Sequence, residues 1–123
     1  MVNTSFELEL TIDGKKETIN VMLQEAHPFE TTGVFSKALD MQTMNYDIGK
    51  VVDGLIDLVV VSPKNLKELV GECDEPINTV GNLFYELKSF CESPKRYGYA
   101  KAESKAKVKD MEHGNTESNT KWS

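Results

Sequence analysis

The segment FELELTIDGKKETINVML, residues 6–23, decides the fold, because it holds two alternating apolar patterns on either side of a turn signal. The alternation predicts two strands, each with one buried face. Asp13-Gly14 between them predicts a hairpin turn, since glycine tolerates a positive φ. A two-residue loop would pair Leu8 with Ile19, whereas a four-residue loop would pair Leu10 with Ile19. Two strands alone are marginal, so helices or another subunit must cover the apolar face, which leaves self-association open.

Four helices are predicted after the hairpin, which gives an α+β fold class. The first runs from about Glu30 to Leu39, and Met41 to Met44 then form a connector. The second is an amphipathic helix capped by Asn45 or Asp47. Its apolar stripe comprises Ile48, Val51, Val52, Leu55, Ile56 and Val59, with Gly54 assigned to the opposite, polar side. Val52 and Leu55 are predicted core positions.

The run Leu58 to Val61 is interpreted as the end of this second helix rather than as a separate strand. Val60 and Val61 fall outside the stripe and are expected to unwind into an extended link. Ser62 is then predicted to cap a short third helix with Pro63 at its first position. Asp74-Glu75-Pro76 repeats this start signal before a fourth helix of about 16 residues. Its predicted stripe comprises Ile77, Val80, Phe84, Leu87 and Cys91, flanked by Leu83 and Phe90.

Charge and periodicity divide the chain into a globular domain, residues 1–92, and a charged flexible tail, residues 93–123. The first part holds 7 Lys/Arg against 16 Asp/Glu, a net charge of −9, and the second holds 7 against 4, a net charge of +3. Beyond Pro94 the apolar periodicity is lost, so the tail is predicted to be disordered when alone. A part of it, Ala100 to Met111, could become helical on a partner. Deleting residues 95–123 should then leave the melting transition nearly unchanged.

The residues give little support for an enzyme or a metal site. The two histidines are His27 and His113, the two cysteines are Cys73 and Cys91, and none has the spacing of a metal-ligand motif. Cysteine attack assisted by His27 stays open, although both thiols fit helix packing better. We therefore predict a non-enzymatic protein without metal or cofactor, and the low cysteine content favours a reducing cytoplasm. An acidic globule argues against nucleic acid as the partner, despite Tyr97 and Tyr99 among the basic residues of the tail.

The element order and the segment GLIDLVVVSPKNLKEL, residues 54–69, resemble the tail assembly chaperones of long-tailed bacteriophages. In that family a mid-chain helix often ends in an apolar run before a proline-bearing turn. The resemblance covers roughly residues 5–92, and it rests on apolar patterns rather than on catalytic motifs.

The resemblance implies a protein that binds and solubilises the tape-measure protein and helps to recruit major tail tube protein during tail morphogenesis. Such proteins act in the host cell cytoplasm and are not expected in the mature virion. The predicted partner-binding residues are Phe35, Met41, Met44 and Tyr46, where the start of the first helix and the connector leave apolar surface free. Phe35 could equally be a core residue, and the two methionines could simply fill a gap. The alternatives are a virion component, such as a head–tail connector or tail completion protein, and a small module that binds a host protein.

Overall fold

The protein consists of an N-terminal β-hairpin followed by helices. The computed structural model describes residues 3–113, with side chains to residue 103. The elements are β1 (Asn3–Ile12), β2 (Lys15–Gln24), α1 (Pro28–Ala38), β3 (Leu39–Asp40), β4 (Asn45–Tyr46), α2 (Ile48–Val59), β5 (Val60–Ser62), α3 (Leu66–Glu72), α4 (Pro76–Glu92) and α5 (Pro94–His113). This arrangement confirms the predicted α+β class, with a fifth helix added. Among the described residues, no helix combines the length and the apolar character needed to cross a bilayer.

The hairpin has the two-residue loop, which settles the register that the sequence left open. Leu8 is opposite Ile19, and Ile12 is opposite Lys15. Asp13 and Gly14 both have positive φ, 52° and 79°. Two consecutive positive φ values define the type I′ turn, whose twist matches that of the flanking strands, so the turn chemistry selects this register.

Asp74 fastens the hairpin turn to the loop between α3 and α4. Its carboxylate oxygens accept hydrogen bonds from the backbone N–H groups of Asp13 at 3.0 Å and Gly14 at 2.9 Å. Its own N–H donates to the carbonyl of Thr11 at 2.7 Å. Asp74 was predicted to help start α4, but Glu75 holds the N-cap position there and its side chain makes no cap hydrogen bond. The carboxylate instead accepts hydrogen bonds from the two N–H groups of the turn, which have no partner in the opposite strand.

Removing this carboxylate should loosen the turn. Asp74→Ala is expected to lower the free energy of unfolding by about 1.5–3 kcal/mol, the range for hydrogen bonds to a charged group. Chemical denaturation measures the change, and Glu75→Ala is the matched control, expected within about 0.5 kcal/mol. Equal effects of the two substitutions would show that the Asp74 contacts contribute nothing to stability.

The apolar run after α2 is both a helix end and a strand. The helix ends at Val59, and Val60–Ser62 form β5, which pairs antiparallel with β2 through Met22↔Ser62 and Leu23↔Val60. The prediction that Val60 and Val61 leave the helix in an extended conformation is confirmed, but the interpretation that they form no separate strand is wrong. Ser62 is also not the cap of α3, which begins at Leu66 after Asn65. The edge of β2 has backbone groups that can form hydrogen bonds with Val60–Ser62. Pairing with β2 is more favourable for Ser62 than capping α3.

The buried face of the hairpin rests on the helices of the same chain. Val52 and Leu55 of α2 lie in the core, as predicted, and Asp47 caps this helix by accepting a hydrogen bond from Lys50 N at 3.1 Å. The buried apolar residues are Phe6, Leu8, Leu10, Val21, Leu23, Ala38, Val51, Val52, Leu55, Val59, Leu66, Val70, Cys73, Leu83, Leu87, Phe90 and Tyr97.

The buried face of α4 differs from the predicted stripe. The helix buries Thr79, Leu83, Leu87 and Phe90, whereas Ile77 is 88% exposed. The predicted stripe and the observed face lie next to each other around the helix, because α4 is apolar over a wide arc. Packing against α2, α3 and α5 determines which part of that arc is buried. Helical periodicity alone could not identify this part.

Helix α1 packs closely on α2 at Gly54, which was predicted to lie on the polar side. A Cβ at Gly54 would approach Val34 Cγ1 to 2.7 Å, so the Val34 side chain or one of the helices would have to shift. Glycine is therefore needed here for close helix approach rather than for a turn.

The prediction of disorder immediately after Pro94 is wrong. Helix α5 begins at Pro94, and Tyr97 is 7% exposed with its ring edge-on to Phe90 at a centroid distance of 5.6 Å. One aromatic residue and a polar network attach this helix to α4, without the repeated apolar residues that periodicity detects. The last part of the predicted tail, residues 114–123, lies outside the described residues.

Candidate functional site

The four predicted partner-binding residues lie on α1 and on the small hairpin that joins α1 to α2. We call these residues, Phe35, Met41, Met44 and Tyr46, the connector surface. Strands β3 and β4 pair Leu39 with Tyr46, and the Asp47 N–H donates to the Ala38 carbonyl at 2.8 Å. The connector is thus a closed, hydrogen-bonded loop rather than an open link.

Local hydrogen bonds fix the shape of the connector loop. The carbonyl of Asp40 accepts from Met44 N at 2.7 Å, and its carboxylate accepts from Gln42 N at 2.9 Å. Met44 has a φ of 60°, which lies in the left-handed region that side chains other than glycine seldom adopt. The loop therefore stabilises a costly conformation that keeps Met44 at its outer edge.

The two methionines do not fill a gap in the described part of the protein. Met41 is 74% exposed and Met44 is 64% exposed. Flexible, polarizable methionine side chains adapt to partners of irregular shape, and exposed apolar clusters of this kind are typical of binding surfaces.

The aromatic pair links the connector surface to the core. Phe35 is half-buried against the core, and its ring meets the edge of Tyr46 at a centroid distance of 5.5 Å. Tyr46 is 42% exposed, so one aromatic ring supports another that reaches solvent. Phe35 is therefore partly a core residue, and its role in partner binding stays a prediction.

An apolar groove that periodicity did not predict begins two residues after Tyr46. It lies between the first turns of α2 and α4, with a volume of about 400 Å³, and its lining residues are Ile48, Gly49, Pro76, Ile77, Val80 and Gly81. Ile48 and Ile77 were assigned to buried stripes, but they are 46% and 88% exposed. Ile48 is the first residue of α2 and Ile77 the second of α4, and both extend past the core. Sequence periodicity does not predict that these isoleucines are exposed. It indicates which side of a helix can be buried, but not how far along the helix the core extends.

Of the candidate catalytic residues, His27 caps a helix and Cys91 is a half-buried free cysteine. His27 Nδ1 accepts a hydrogen bond from Phe29 N at 3.2 Å and caps α1. Burial, and secondarily the charge of Glu92, raises the pKa of Cys91 to about 11. At neutral pH this side chain is a thiol, and the thiolate is the form that acts as a nucleophile.

The paired carboxylates of α2 hold a lysine of α3. Lys67 Nζ lies 2.8 Å from both Asp53 Oδ1 and Asp57 Oδ1. Hydrogen bonds to Asp53 and then to Asp57 raise the pKa of Lys67 above its usual value. All three side chains are exposed, so this ion-pair network links α3 to α2 and contributes little to stability.

Comparison with known proteins adds no relative to this picture. No protein-family description, no curated protein and no solved structure matches the chain. Function must therefore be argued from the surface chemistry of this molecule.

Proposed function

We propose that this protein is a non-enzymatic tail assembly chaperone of a long-tailed bacteriophage. In this proposal it binds the tape-measure protein in the host cell cytoplasm, keeps it soluble, and helps to recruit tail tube subunits. It leaves before the virion is complete. The observation that carries the proposal is the exposed apolar connector surface beside an apolar groove, on a domain that is otherwise strongly acidic.

The chemistry of this surface fits a long helical partner with an apolar stripe. Exposed methionines and a tyrosine provide an adaptable contact, and a groove between two helices can receive apolar side chains of a third. The net charge of −9 in residues 1–92 keeps the chaperone itself dispersed while the apolar contact is made.

Charge placed on the connector surface should abolish solubilisation. Met41→Glu/Met44→Glu is expected to remove the gain in soluble tape-measure protein on co-expression, because a carboxylate buried in an apolar contact lacks a partner. Both methionines are largely exposed, so the fold should be kept, and circular dichroism checks this. Tyr46→Glu should act similarly, whereas Phe35→Glu also disturbs the core and is less informative.

Met22→Glu is the matched control, because Met22 is 47% exposed on the sheet and lies outside the connector surface. It should solubilise as well as the original chain. Binding should also survive raised salt, since apolar burial is not screened. No gain in soluble partner, together with retention of this chain in purified particles, would reject the chaperone proposal and favour a virion component.

A further inference from the structure

We propose that the outer edge of β1 is a second docking site, which receives an extended segment carrying Lys or Arg at every second residue. The three-stranded sheet has the order β1-β2-β5, so β1, Asn3–Ile12, has one side without a strand partner among the described residues. Such an edge presents N–H and C=O groups that can pair with another strand. This inference concerns a different face from the connector surface and does not depend on the function proposed above.

The hairpin register identifies the backbone groups that point outward. In a two-residue hairpin, Ile12 and Lys15 form the hydrogen-bonded pair that closes the loop, and the bonding direction alternates along β1 from there. The backbones of Thr11, Glu9 and Glu7 therefore face away from β2. The hydrogen bond from Asp74 N to Thr11 O at 2.7 Å agrees with this assignment. Asp74 thus pairs with one end of the edge and leaves the groups at Glu7 and Glu9 open.

A trough runs beside this edge, with α4 as its other wall. It consists of two adjoining grooves, of about 370 and 140 Å³, which share Glu9 and Asn82. Together they extend along β1 from Phe6 to Thr11 and along α4 from its N-cap Glu75 to Glu86. Tyr85 lines the trough and is 70% exposed, so it offers an aromatic contact to an incoming strand. A space between a strand edge and a helix is the geometry in which an extended segment adds to a sheet.

The charges of the trough determine the chemistry of its occupant. Glu7, Glu9 and Glu75 are exposed carboxylates, and Lys16 lies at the far end. Glu86 is already paired, with Tyr97 and Lys101. Glu7 and Glu9 lie on one face of β1, so a strand paired there would place every second side chain opposite them. Lys or Arg at those positions would form cross-strand ion pairs.

The same charges argue against a second copy of this chain as the occupant. Antiparallel pairing of β1 with β1 would bring Glu7 and Glu9 of both copies onto one face, where like charges repel. The chain's own lysine-rich stretch lies in α5 in helical form and offers no extended strand. The expected occupant is therefore an extended basic segment of a different protein.

The test uses a short synthetic peptide that alternates lysine with valine, added to the full chain. Binding should slow hydrogen exchange at the amides of Glu7 and Glu9, which point outward and are open to solvent before binding. A peptide of the same sequence, N-methylated at alternate residues on its hydrogen-bonding edge, keeps the charges but loses the ladder bonds and should not bind. A peptide alternating glutamate with valine should not bind either.

Variants of the edge sharpen the test. Glu7→Lys/Glu9→Lys should weaken peptide affinity by about tenfold or more, because two favourable cross-strand pairs become repulsive. Glu30→Lys makes a single charge change of the same kind on α1 and should weaken it far less. Glu9→Pro removes one outward N–H together with the Glu9 carboxylate and leaves the ladder to β2 intact, so it should weaken binding more than Glu9→Ala, which removes the carboxylate alone. Thermal denaturation confirms that each variant is folded.

Three results would overturn the proposal. Equal binding of the N-methylated peptide would show a purely electrostatic contact. Protection confined to amides outside residues 6–11 would place the site elsewhere. Sedimentation showing a dimer of the chain that Glu9→Pro dissociates would assign the edge to self-association instead.

Discussion

Leu55→Ala should lower the free energy of unfolding by about 2–5 kcal/mol, the cost of deleting a fully buried leucine side chain. Leu55 is 0% exposed and lies in the middle of α2, in the core that the helices share with the hairpin. The core cluster that contains Leu55 draws side chains from several elements, so we expect only partial closure of the cavity. Urea denaturation followed by circular dichroism measures the loss.

The control for Leu55→Ala is Asp53→Ala on the exposed side of the same helix. Asp53 lies 2.8 Å from Lys67, but its side chain is 67% exposed and Lys67 keeps Asp57 as a second partner. Exposed ion pairs contribute little, so the change should stay within about 0.5 kcal/mol. If the two substitutions were equally mild, the assigned buried face of α2 would be wrong.

Tyr97→Ala should have an effect of similar size, about 3–5 kcal/mol, although it lies in the segment that was predicted to be a flexible tail. Tyr97 packs edge-on against Phe90, its hydroxyl donates to a Glu86 carboxylate oxygen, and Lys101 Nζ lies 5.3 Å from its ring centroid. Lys101 Nζ also donates to Glu86 at 3.2 Å. Truncation to alanine removes the packing and the hydrogen bond together, and it leaves Glu86 with the lysine alone.

Tyr97→Phe separates packing from hydrogen bonding. It keeps the ring contact with Phe90, so it should cost about 1.5–3 kcal/mol, the value of a hydrogen bond to a charged group. A chain that ends at Glu92 should resemble Tyr97→Ala and melt well below the full chain. An unchanged melting temperature on this truncation would restore the sequence-based prediction that residues 1–92 fold independently of the rest.

The same contacts make stability sensitive to alkali. Burial, and then the hydrogen bond to Glu86, raises the pKa of Tyr97 above its ordinary value of about 10. The folded state thus binds this proton more tightly than the unfolded state does. The associated stability is complete below about pH 10 and is lost as the pH rises beyond it. Tyr97→Phe should lose less stability than the original chain between about pH 10 and 12 in denaturation experiments, and parallel curves would contradict this role.

Local sequence signals determined the elements whose causes are local. The alternation in residues 6–23 and the Asp13-Gly14 turn fix the hairpin, because period-two patterning and consecutive positive φ values act within a few residues. The stripe of α2 and its Asp47 cap likewise predict where Leu55 is buried. The sequence left open whether Met41 and Met44 are exposed or fill a gap, and only the structure shows that both are exposed.

Tertiary structure alone decided the features that depend on distant partners. Asp74 is 60 residues from Gly14 in the sequence. Its side chain binds the hairpin turn instead of capping α4, because the tertiary fold brings the turn next to it. Val60–Ser62 become a strand only because the edge of β2 lies beside them, and Tyr97 orders α5 only because Phe90 and Glu86 are in place. Helix α4 is apolar over a wide arc, so its sequence alone does not determine which side is buried. Packing left Ile77 exposed, and Ile77 and Ile48 line the apolar groove. Sequence periodicity indicates which sides of a helix or strand can be buried. The free energy of the whole folded chain determines which of these sides is buried.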